Sequence, residues 1–217
     1  MKVALIGATG FVGTNILNEL VDRGHEVTAI ARTPEKTTVK SNKVTPVKAD
    51  VLDKEKLPGI LSGHDAVVSA FNAGWTNPDI YDDFLRGARA VQEATRKSGV
   101  KRFIVIGGGG SLYLKPGLQV IDTPEFPAEI KPGADAARVY LEEIRNENEL
   151  DWVFFSPALE MHRGITTGRT GKYRLGLENP VFDENGKSVL SGEDVGVVIA
   201  DELENPKHHK QRFTAAY

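Results

Sequence analysis

The sequence predicts an α/β protein built on a doubly wound, mostly parallel sheet, and two observations lead to this fold class. First, short apolar runs alternate along the 217-residue chain with segments of helical periodicity. Second, the runs are spaced widely enough for helical crossovers, which parallel strands require. We expect one domain over residues 1–217, with residues 157–190 forming a small C-terminal substrate lobe inserted in it.

Six apolar runs are the predicted strands, because short continuous runs are typical of strands buried on both faces. They are Val3–Ile6, Val27–Ile30, Val44–Val47, Ala66–Ala70, Phe103–Ile106 and Trp152–Phe155. Helices are predicted between them, where apolar positions recur every three or four residues. They span about 11–23, 54–61, 78–98 and 134–148, and a last helix begins at Ser191, where Ser-Gly-Glu-Asp has the form of a capping box.

Composition excludes several classes of function. A net charge of −3 disfavours a nucleic-acid partner, which usually selects a basic patch. The absence of cysteine removes disulfides, thiolate nucleophiles and cysteine metal sites. His208 and His209 lie in a charged tail and are expected to face solvent, so no metal site is predicted. No membrane partner is expected and a cytoplasmic location is predicted, because no apolar run approaches the ~20 residues of a membrane span and no signal-peptide pattern opens the chain.

The turn after the first strand carries the strongest functional signal. Glycines at positions 7, 10 and 13 separate an apolar strand from a helical segment, as in dinucleotide-binding turns. The first glycine would allow the turn, the second would let the backbone approach the phosphates, and the third would let the helix pack on the strand. The phosphates would then bind free N–H groups at the positive end of the helix dipole. The residues predicted to hold them are Gly7, Ala8, Thr9, Gly10, Phe11, Val12 and Gly13.

Residues after the next three strands complete the predicted cofactor site. No Asp or Glu stands at the end of the second strand, about 20 residues beyond the glycines, where NAD-selective sites usually place one for the ribose 2′-hydroxyl. Arg32 and Lys36 stand there instead and suit a 2′-phosphate, so NADPH is the predicted cofactor. Asp50 would accept the adenine amino group while the Val51 backbone contacts the ring edge. The end of the fourth strand would lie beside the adenosine ribose through Ala70, Phe71 and Asn72, with Phe71 either a core residue or a wall of the site.

Taken together, these motifs resemble those of the atypical short-chain dehydrogenase/reductases. The resemblance rests on the GATGxxG turn, the basic residue after strand two, Asp-Val after strand three, and the run from Leu150-Asp-Trp through Ser156-Pro to Thr170-Gly-Lys-Tyr-Arg. Within them, the chain is most similar to the NmrA-like group that includes candidate NADH-flavin reductases, and it also resembles the biliverdin-IXβ/flavin reductases. The resemblance covers essentially the whole chain. It implies a Rossmann-like fold and the reduction of a small-molecule aromatic acceptor.

The chain lacks the Tyr-x-x-x-Lys pair that most short-chain dehydrogenases use for proton transfer. No lysine stands four residues beyond any of Tyr81, Tyr113, Tyr140 and Tyr173. A flavin or quinone reductase can do without the pair, because hydride passes to an electron-poor ring and solvent can protonate the product. The resemblance puts Ser111 near the nicotinamide as the candidate catalytic residue, where its hydroxyl could hydrogen-bond a substrate carbonyl.

Where the biliverdin-IXβ reductases carry a histidine after two prolines, this chain has Ser156-Pro-Ala-Leu, which disfavours a bilin substrate. His162 and Arg163 follow; we interpret them as a solvated loop pair, the alternative being a pair that faces an anionic substrate.

The predicted function is NADPH-dependent reduction of a flavin, a quinone or a similar flat acceptor. One alternative is a non-catalytic NmrA-like sensor of NAD(P) redox state, which a large apolar patch away from the cofactor would favour. The other is an NAD(P)-dependent epimerase or isomerase, which a tyrosine or histidine within reach of the nicotinamide would favour. We expect a monomer or a homodimer, with the long helix at 78–98 as a candidate dimer face.

Overall fold

The computed structural model describes all 217 residues, and an eight-stranded sheet forms its centre. The strands are β1 (Lys2–Ile6), β2 (Glu26–Ala31), β3 (Val44–Lys48), β4 (Ala66–Ser69), β5 (Arg102–Ile106), β6 (Tyr113–Lys115), β7 (Leu118–Gln119), β8 (Asp151–Ser156), β9 (Arg174–Gly176) and β10 (Gln211–Ala216). The helices are α1 (Phe11–Asp22), α2 (Lys56–Leu61), α3 (Ile80–Ser98), α4 (Lys131–Ile144) and α5 (Gly192–Glu204). Only β6 and β7 lie outside the main sheet, where they pair as a hairpin.

The sheet has the strand order β3-β2-β1-β4-β5-β8-β10-β9, and only the edge strand β9 is antiparallel to its neighbour. The chain first moves outward from β1 to β3, and it then crosses back to β4 on the other side of β1. This reversal places a topological switch point between β1 and β4, where ligands bind outside the carboxyl ends of the strands. The predicted Rossmann-like, doubly wound fold is confirmed.

Helices cover both faces of the sheet, and successive side chains of a strand point to opposite faces, so they pack against different helices. In β1, Val3 and Leu5 pack beneath α1 and α5, while Ala4 and Ile6 pack beneath α2, α3 and α4. On the first face α5 lies close against α1. A Cβ on Gly196 would fall 2.6 Å from the carbonyl oxygen of Asn15, so the missing side chain lets the two backbones meet. No helix is long and apolar enough to cross a membrane.

The six predicted strands are all present, with every bound within one residue of the prediction. The five predicted helices are also present. Of these, α4 begins at Lys131, three residues earlier than expected, and ends at Ile144, four residues earlier than expected. The sequence did not predict β6, β7, β9 or β10. Of these, β10 is an interior strand paired in parallel with β8. Its apolar pattern is interrupted by Arg212 and Thr214, both of which are nevertheless buried.

The end of the chain is a buried part of the fold, so the prediction that His208 faces solvent is wrong. The ring of His208 stacks on Phe213 with 4.3 Å between centroids, and its Nδ1 lies 2.7 Å from Oε2 of Glu202. Because β10 is inserted beside β8, the chain leads into it past α5, and the His208 side chain is buried against Glu202 of that helix. His209 is exposed, as predicted.

The Thr170-Gly-Lys-Tyr-Arg motif has a structural role in residues 157–190. The buried carboxylate of Asp194 accepts hydrogen bonds from the backbone N–H of Thr170 (3.0 Å) and of Gly171 (2.8 Å). The Tyr173 hydroxyl donates to the carboxylate of Asp201. These bonds hold the segment on α5, and β9 then joins the edge of the main sheet. A substrate role for 157–190 stays a prediction.

Candidate functional site

The turn between β1 and α1 needs glycine at two positions for space. A Cβ on Gly7, whose φ is 78°, would lie 2.4 Å from the carbonyl oxygen of Ala70. A Cβ on Gly13 would lie 2.1 Å from the carbonyl oxygen of Gly7. Gly10 differs, because its φ of −76° suits any residue and a Cβ there would meet only one atom, at 3.3 Å. The open side of Gly10 is therefore the side available to a ligand.

The N-terminus of α1 has donors without partners. No side chain caps the helix at Gly10, and its first turn contains no acidic residue. The first N–H groups of a helix have no partner within the helix, so here they are left for an external acceptor. Their free hydrogen-bonding capacity and the helix dipole both fit a bound anion such as a pyrophosphate.

A cavity of about 770 Å³ opens at the carboxyl ends of β1, β4, β5 and β8. Sixteen of its 29 lining residues are hydrophobic, and the only ones with charged or titratable side chains are Glu125, His162 and Arg163. The residues that follow the four strands form one part of the lining, and the stretch between Val120 and Ala137 forms most of the rest, with Phe84 of α3 and Leu114 of β6. An apolar cavity with a few polar groups at a switch point is the usual setting for a cofactor and its substrate.

Known proteins share this architecture over the full length of the chain. Residues 7–206 match the family described as NAD(P)H-binding. The chain belongs to this family. It is 35% identical to YwnB, an uncharacterised protein of Bacillus subtilis, over 99% of this chain and 97% of that protein.

Two solved structures resemble this NAD(P)H-binding protein closely. A candidate epimerase from Bacteroides thetaiotaomicron is 45% identical, with a TM-score of 0.91 over 100% of this chain and 96% of that one. A candidate NADH-flavin reductase from Streptococcus pneumoniae TIGR4 is 37% identical, with a TM-score of 0.85 over 100% and 99%. The resemblance to the atypical short-chain dehydrogenase/reductases is confirmed, and a nicotinamide cofactor follows from the family.

Six of the predicted cofactor residues line the cavity, namely Gly10, Phe11, Val12, Ala70, Phe71 and Asn72. Phe71 turns out to serve both roles that the sequence left open. Its ring stacks on Phe84 with 6.1 Å between centroids, and a Cβ on Gly87 would lie 2.3 Å from it. The ring is thus fixed by the core while it forms part of the cavity wall. Gly7, Ala8, Thr9 and Gly13 shape the turn behind this lining.

The residues predicted to bind the far end of the cofactor lie outside the cavity lining. Arg32 and Lys36 are exposed beyond the end of β2, and neither forms an ion pair with the protein. Asp50 uses one carboxylate oxygen to accept from the backbone N–H of Leu52, at 2.9 Å, which leaves the other oxygen free. Val51 packs against the core below α2 and α3. Their cofactor contacts stay predictions.

Ser111 does not face the cavity, which corrects the position expected for it. Its side chain is only 1% exposed, and its hydroxyl donates to the carbonyl of Gly108 at 3.3 Å. The same hydroxyl accepts from Nη1 of the buried Arg212 at 3.0 Å, and that guanidinium also pairs with Glu178. The bonds of Ser111 therefore anchor the glycine-rich loop from below, and this placement does not suit contact with a substrate carbonyl.

No tyrosine lines the cavity, so the missing Tyr-Lys pair is not restored by residues distant in sequence. The Tyr140 hydroxyl donates to Oε1 of Gln92 at 2.9 Å, and burial raises the pKa of this phenol far above its usual value. Toward the cavity, α4 presents only the small residues Gly133, Ala134 and Ala137. The helix therefore offers space for a ring and no group that can exchange a proton.

His162 and Arg163 are exposed, as the sequence suggested, and yet both line the cavity. The guanidinium carbon of Arg163 lies 4.9 Å from the centroid of the Phe11 ring, beside the glycine turn. Nδ1 of His162 accepts from the backbone N–H of Gly164 at 3.1 Å, so a neutral ring carries its proton on Nε2. The signal in the sequence was a basic pair in the loop that follows a buried strand. It could not separate a cavity position from open solvent.

Proposed function

We propose that this chain uses NADPH to reduce a flat, electron-poor acceptor such as a flavin or a quinone. The observation that carries the proposal is the apolar cavity, which continues from an uncapped helix N-terminus and contains no tyrosine or lysine. When bound, a reduced nicotinamide supplies a hydride, which is a proton with two electrons. A ring that accepts the hydride needs one further proton, which water or the imidazolium form of His162 can deliver.

The protein's own part in such a reaction is to bind, to orient and to exclude water. The free N–H groups at the start of α1 would hold the pyrophosphate. The backbone of Gly107–Gly110 would lie against the ring pair, because glycines there leave no side chain in the way. Phe71 is held in place by its core contacts, so it can act as a fixed wall.

NADPH rather than NADH is proposed because two cations at the end of β2 have no partner. Arg32 and Lys36 are both exposed and unpaired, and the residue directly after β2 is Arg32 rather than the Asp or Glu that accepts from a ribose hydroxyl; the nearest carboxylate in the sequence is that of Glu35, in the following turn. A planar guanidinium matches a phosphate through paired charge-assisted hydrogen bonds. The 2′-phosphate is the group of NADPH that NADH lacks.

An epimerase or isomerase is the second candidate, and the observation that favours it is His162. Its Nε2–H points to no partner within the protein, as a group that exchanges protons with a substrate would. For the sensor alternative, five of the nine exposed large apolar side chains lie outside the cavity lining, among them Leu175, Leu177 and Phe182, while the other four line the cavity itself.

Anaerobic mixing with NADPH and a panel of flavins and quinones tests the proposal. We expect at least one acceptor to accelerate loss of the reduced-nicotinamide absorbance. His162→Gln should slow the best acceptor by about two- to tenfold if water can replace the side chain, whereas a proton-transfer mechanism predicts about 10²-fold or more. A protein that binds NADPH yet reduces no member of the panel would contradict the reductase function.

A further inference from the structure

Four exposed apolar side chains surround the mouth of the cavity, and we call them the apolar rim. Its members, with their exposed fractions, are Trp75 (57%), Leu114 (41%), Ile130 (38%) and Leu159 (38%). The whole chain exposes nine large hydrophobic side chains, so almost half of them gather on the lining of one cavity. Exposed apolar residues scattered singly need no explanation, whereas a cluster of them marks a binding surface.

The backbone makes room for the apolar rim. A Cβ on Gly133 would lie 2.9 Å from Cζ3 of Trp75, and a Cβ on Gly109 would lie 3.5 Å from Cδ2 of Leu159. Neither glycine has a positive φ, so conformation does not require glycine at these positions. At Gly133 the missing side chain leaves space for the Trp75 ring. At Gly109 Leu159 lies at ordinary contact distance, and the close neighbour of a Cβ would be the carbonyl oxygen of Pro157, at 2.7 Å. The Trp75 and Leu159 side chains of the rim therefore pack against the backbone of the cavity wall.

Charge is distributed unevenly around the cavity. Arg163 lies over Phe11, at the glycine turn where the cofactor's phosphates are expected. Glu125 lies in the segment that leads to Ile130 of the rim, and it has no cationic partner. Within the cavity lining, a phosphate near the rim would meet this carboxylate, because the one arginine of the lining lies at the glycine turn. Lys115 and Lys131, which adjoin Leu114 and Ile130, are exposed and lie outside the lining. A neutral, apolar group near the rim would not be repelled by the carboxylate and would not lose the hydration of a charge.

We infer that the acceptor is a quinone-type ring that carries an apolar alkyl or prenyl chain, and that this chain lies along the apolar rim. The inference rests on the proposed function, because it identifies the part of the acceptor that does not react. The ring would occupy the inner cavity beside Gly107–Gly110, and the chain would leave between Trp75 and Leu114. A flavin nucleotide, with its polar and charged side chain, fits this exit less well.

Calorimetric binding at saturating NADP⁺ tests the inference without turnover, since the oxidised nicotinamide has no hydride to give. The ligands are one quinone ring with no chain, with one isoprene unit and with two, together with flavin mononucleotide. Each methylene that becomes buried should strengthen binding by about fourfold, until the chain reaches solvent. Flavin mononucleotide should bind more weakly than the chain-bearing quinones.

Two variants distinguish binding of the chain at the apolar rim from nonspecific hydrophobic adsorption elsewhere on the protein. Leu114→Ala should reduce the gain from the chain by about tenfold, because it removes apolar surface that the chain would cover. Phe182→Ala removes a side chain that is equally exposed, at 40%, but lies outside the cavity, and it should leave the gain unchanged.

Equal affinities for the chain-free and chain-bearing rings would overturn the inference, as would an undiminished gain in Leu114→Ala. Chain-dependent binding in a protein that uses NADPH to reduce neither a quinone nor a flavin would instead support the site for the chain and overturn the reductase function. The two failures are therefore distinguishable.

Discussion

The helices α1 and α5 pack together on the same face of the sheet. Their N-termini differ in whether the first N–H groups of the helix find hydrogen-bond acceptors within the protein. At α5 the Ser191 hydroxyl accepts from the backbone N–H of Asp194 at 3.0 Å, and the first turn holds two acidic side chains. At α1 the N-cap is Gly10, with no side-chain cap and no acidic residue in the first turn. One terminus satisfies its donors within the protein, and the other leaves them exposed to a cavity.

The difference shows that a helix dipole alone does not make a binding site. Asp194 does not complete the predicted capping box, because its carboxylate accepts from Thr170, Gly171 and Tyr217 rather than from the N-cap N–H. It uses the positive end of α5 to hold the neighbouring segment and the C-terminus. At α1 the equivalent attraction is left for a ligand. What distinguishes the two termini is that α5 has an internal carboxylate, whereas α1 has none and leaves its donors for an external anion such as the proposed phosphate.

Gly10→Asp should produce the largest effect, because it gives α1 an internal carboxylate like that of α5. The new side chain can cap the helix and would repel a pyrophosphate, and each lost charge-assisted hydrogen bond costs about 1.5–3 kcal/mol. Loss of two such bonds weakens NADPH binding by about a hundredfold or more. Calorimetry on the folded variant checks this, and its Tm should be unchanged or slightly raised because Asp is a good N-cap.

Gly10→Asn is the matched control for charge. It can cap the helix and occupies the same space, so the gap between the two variants measures repulsion alone. If the Asp variant bound NADPH with undiminished affinity, the α1 terminus would not be the phosphate site.

Arg32→Ala removes the proposed partner of the 2′-phosphate, which lies away from both helix termini. It therefore tests a cofactor contact that does not depend on a helix N-terminus. Its loss should weaken NADPH by about tenfold to a hundredfold, from one charge-assisted interaction of about 1.5–3 kcal/mol. NADH should be almost unaffected, because it has no 2′-phosphate. Titrating both cofactors against the variant gives the ratio. Equal losses for NADPH and NADH would show that Arg32 does not contact the 2′-phosphate.

The sequence predicted the central strands well and the late strands poorly, for one physical reason. A parallel strand covered on both faces reads as a continuous apolar run, so β1 and β5 are visible without a structure. β10 is equally interior, but Arg212 is buried in it and is neutralised by Glu178, which lies 34 residues earlier. A polar residue whose partner is distant in sequence hides a strand from any local pattern.

The same distinction divides the candidate site. The glycine turn could be predicted because its geometry is settled within a few residues by close backbone contacts. The buried position of Ser111 could not be predicted from the sequence, because the Arg212 guanidinium that binds it comes 101 residues later. The four members of the apolar rim come from separate parts of the chain, Leu114 from β6 and the others from turns and loops, so only the folded chain brings them together.

Ser191→Ala should have the smallest effect, and it should fall on stability alone. Replacing a serine N-cap by alanine costs about 1 kcal/mol, which lowers the Tm by roughly 2–4 °C in a chain of this size. Ser191→Gly should cost only a few tenths of a kcal/mol at the cap, because glycine is itself tolerated there. That variant gives α5 the same N-cap residue as α1, while Glu193 and Asp194 still supply negative charge. Thermal unfolding measures the cost, and calorimetry should find an unchanged NADPH affinity in both variants. A weakened affinity in either would mean that the α5 terminus takes part in cofactor binding, and the contrast between the two helices would then be one of degree rather than of kind.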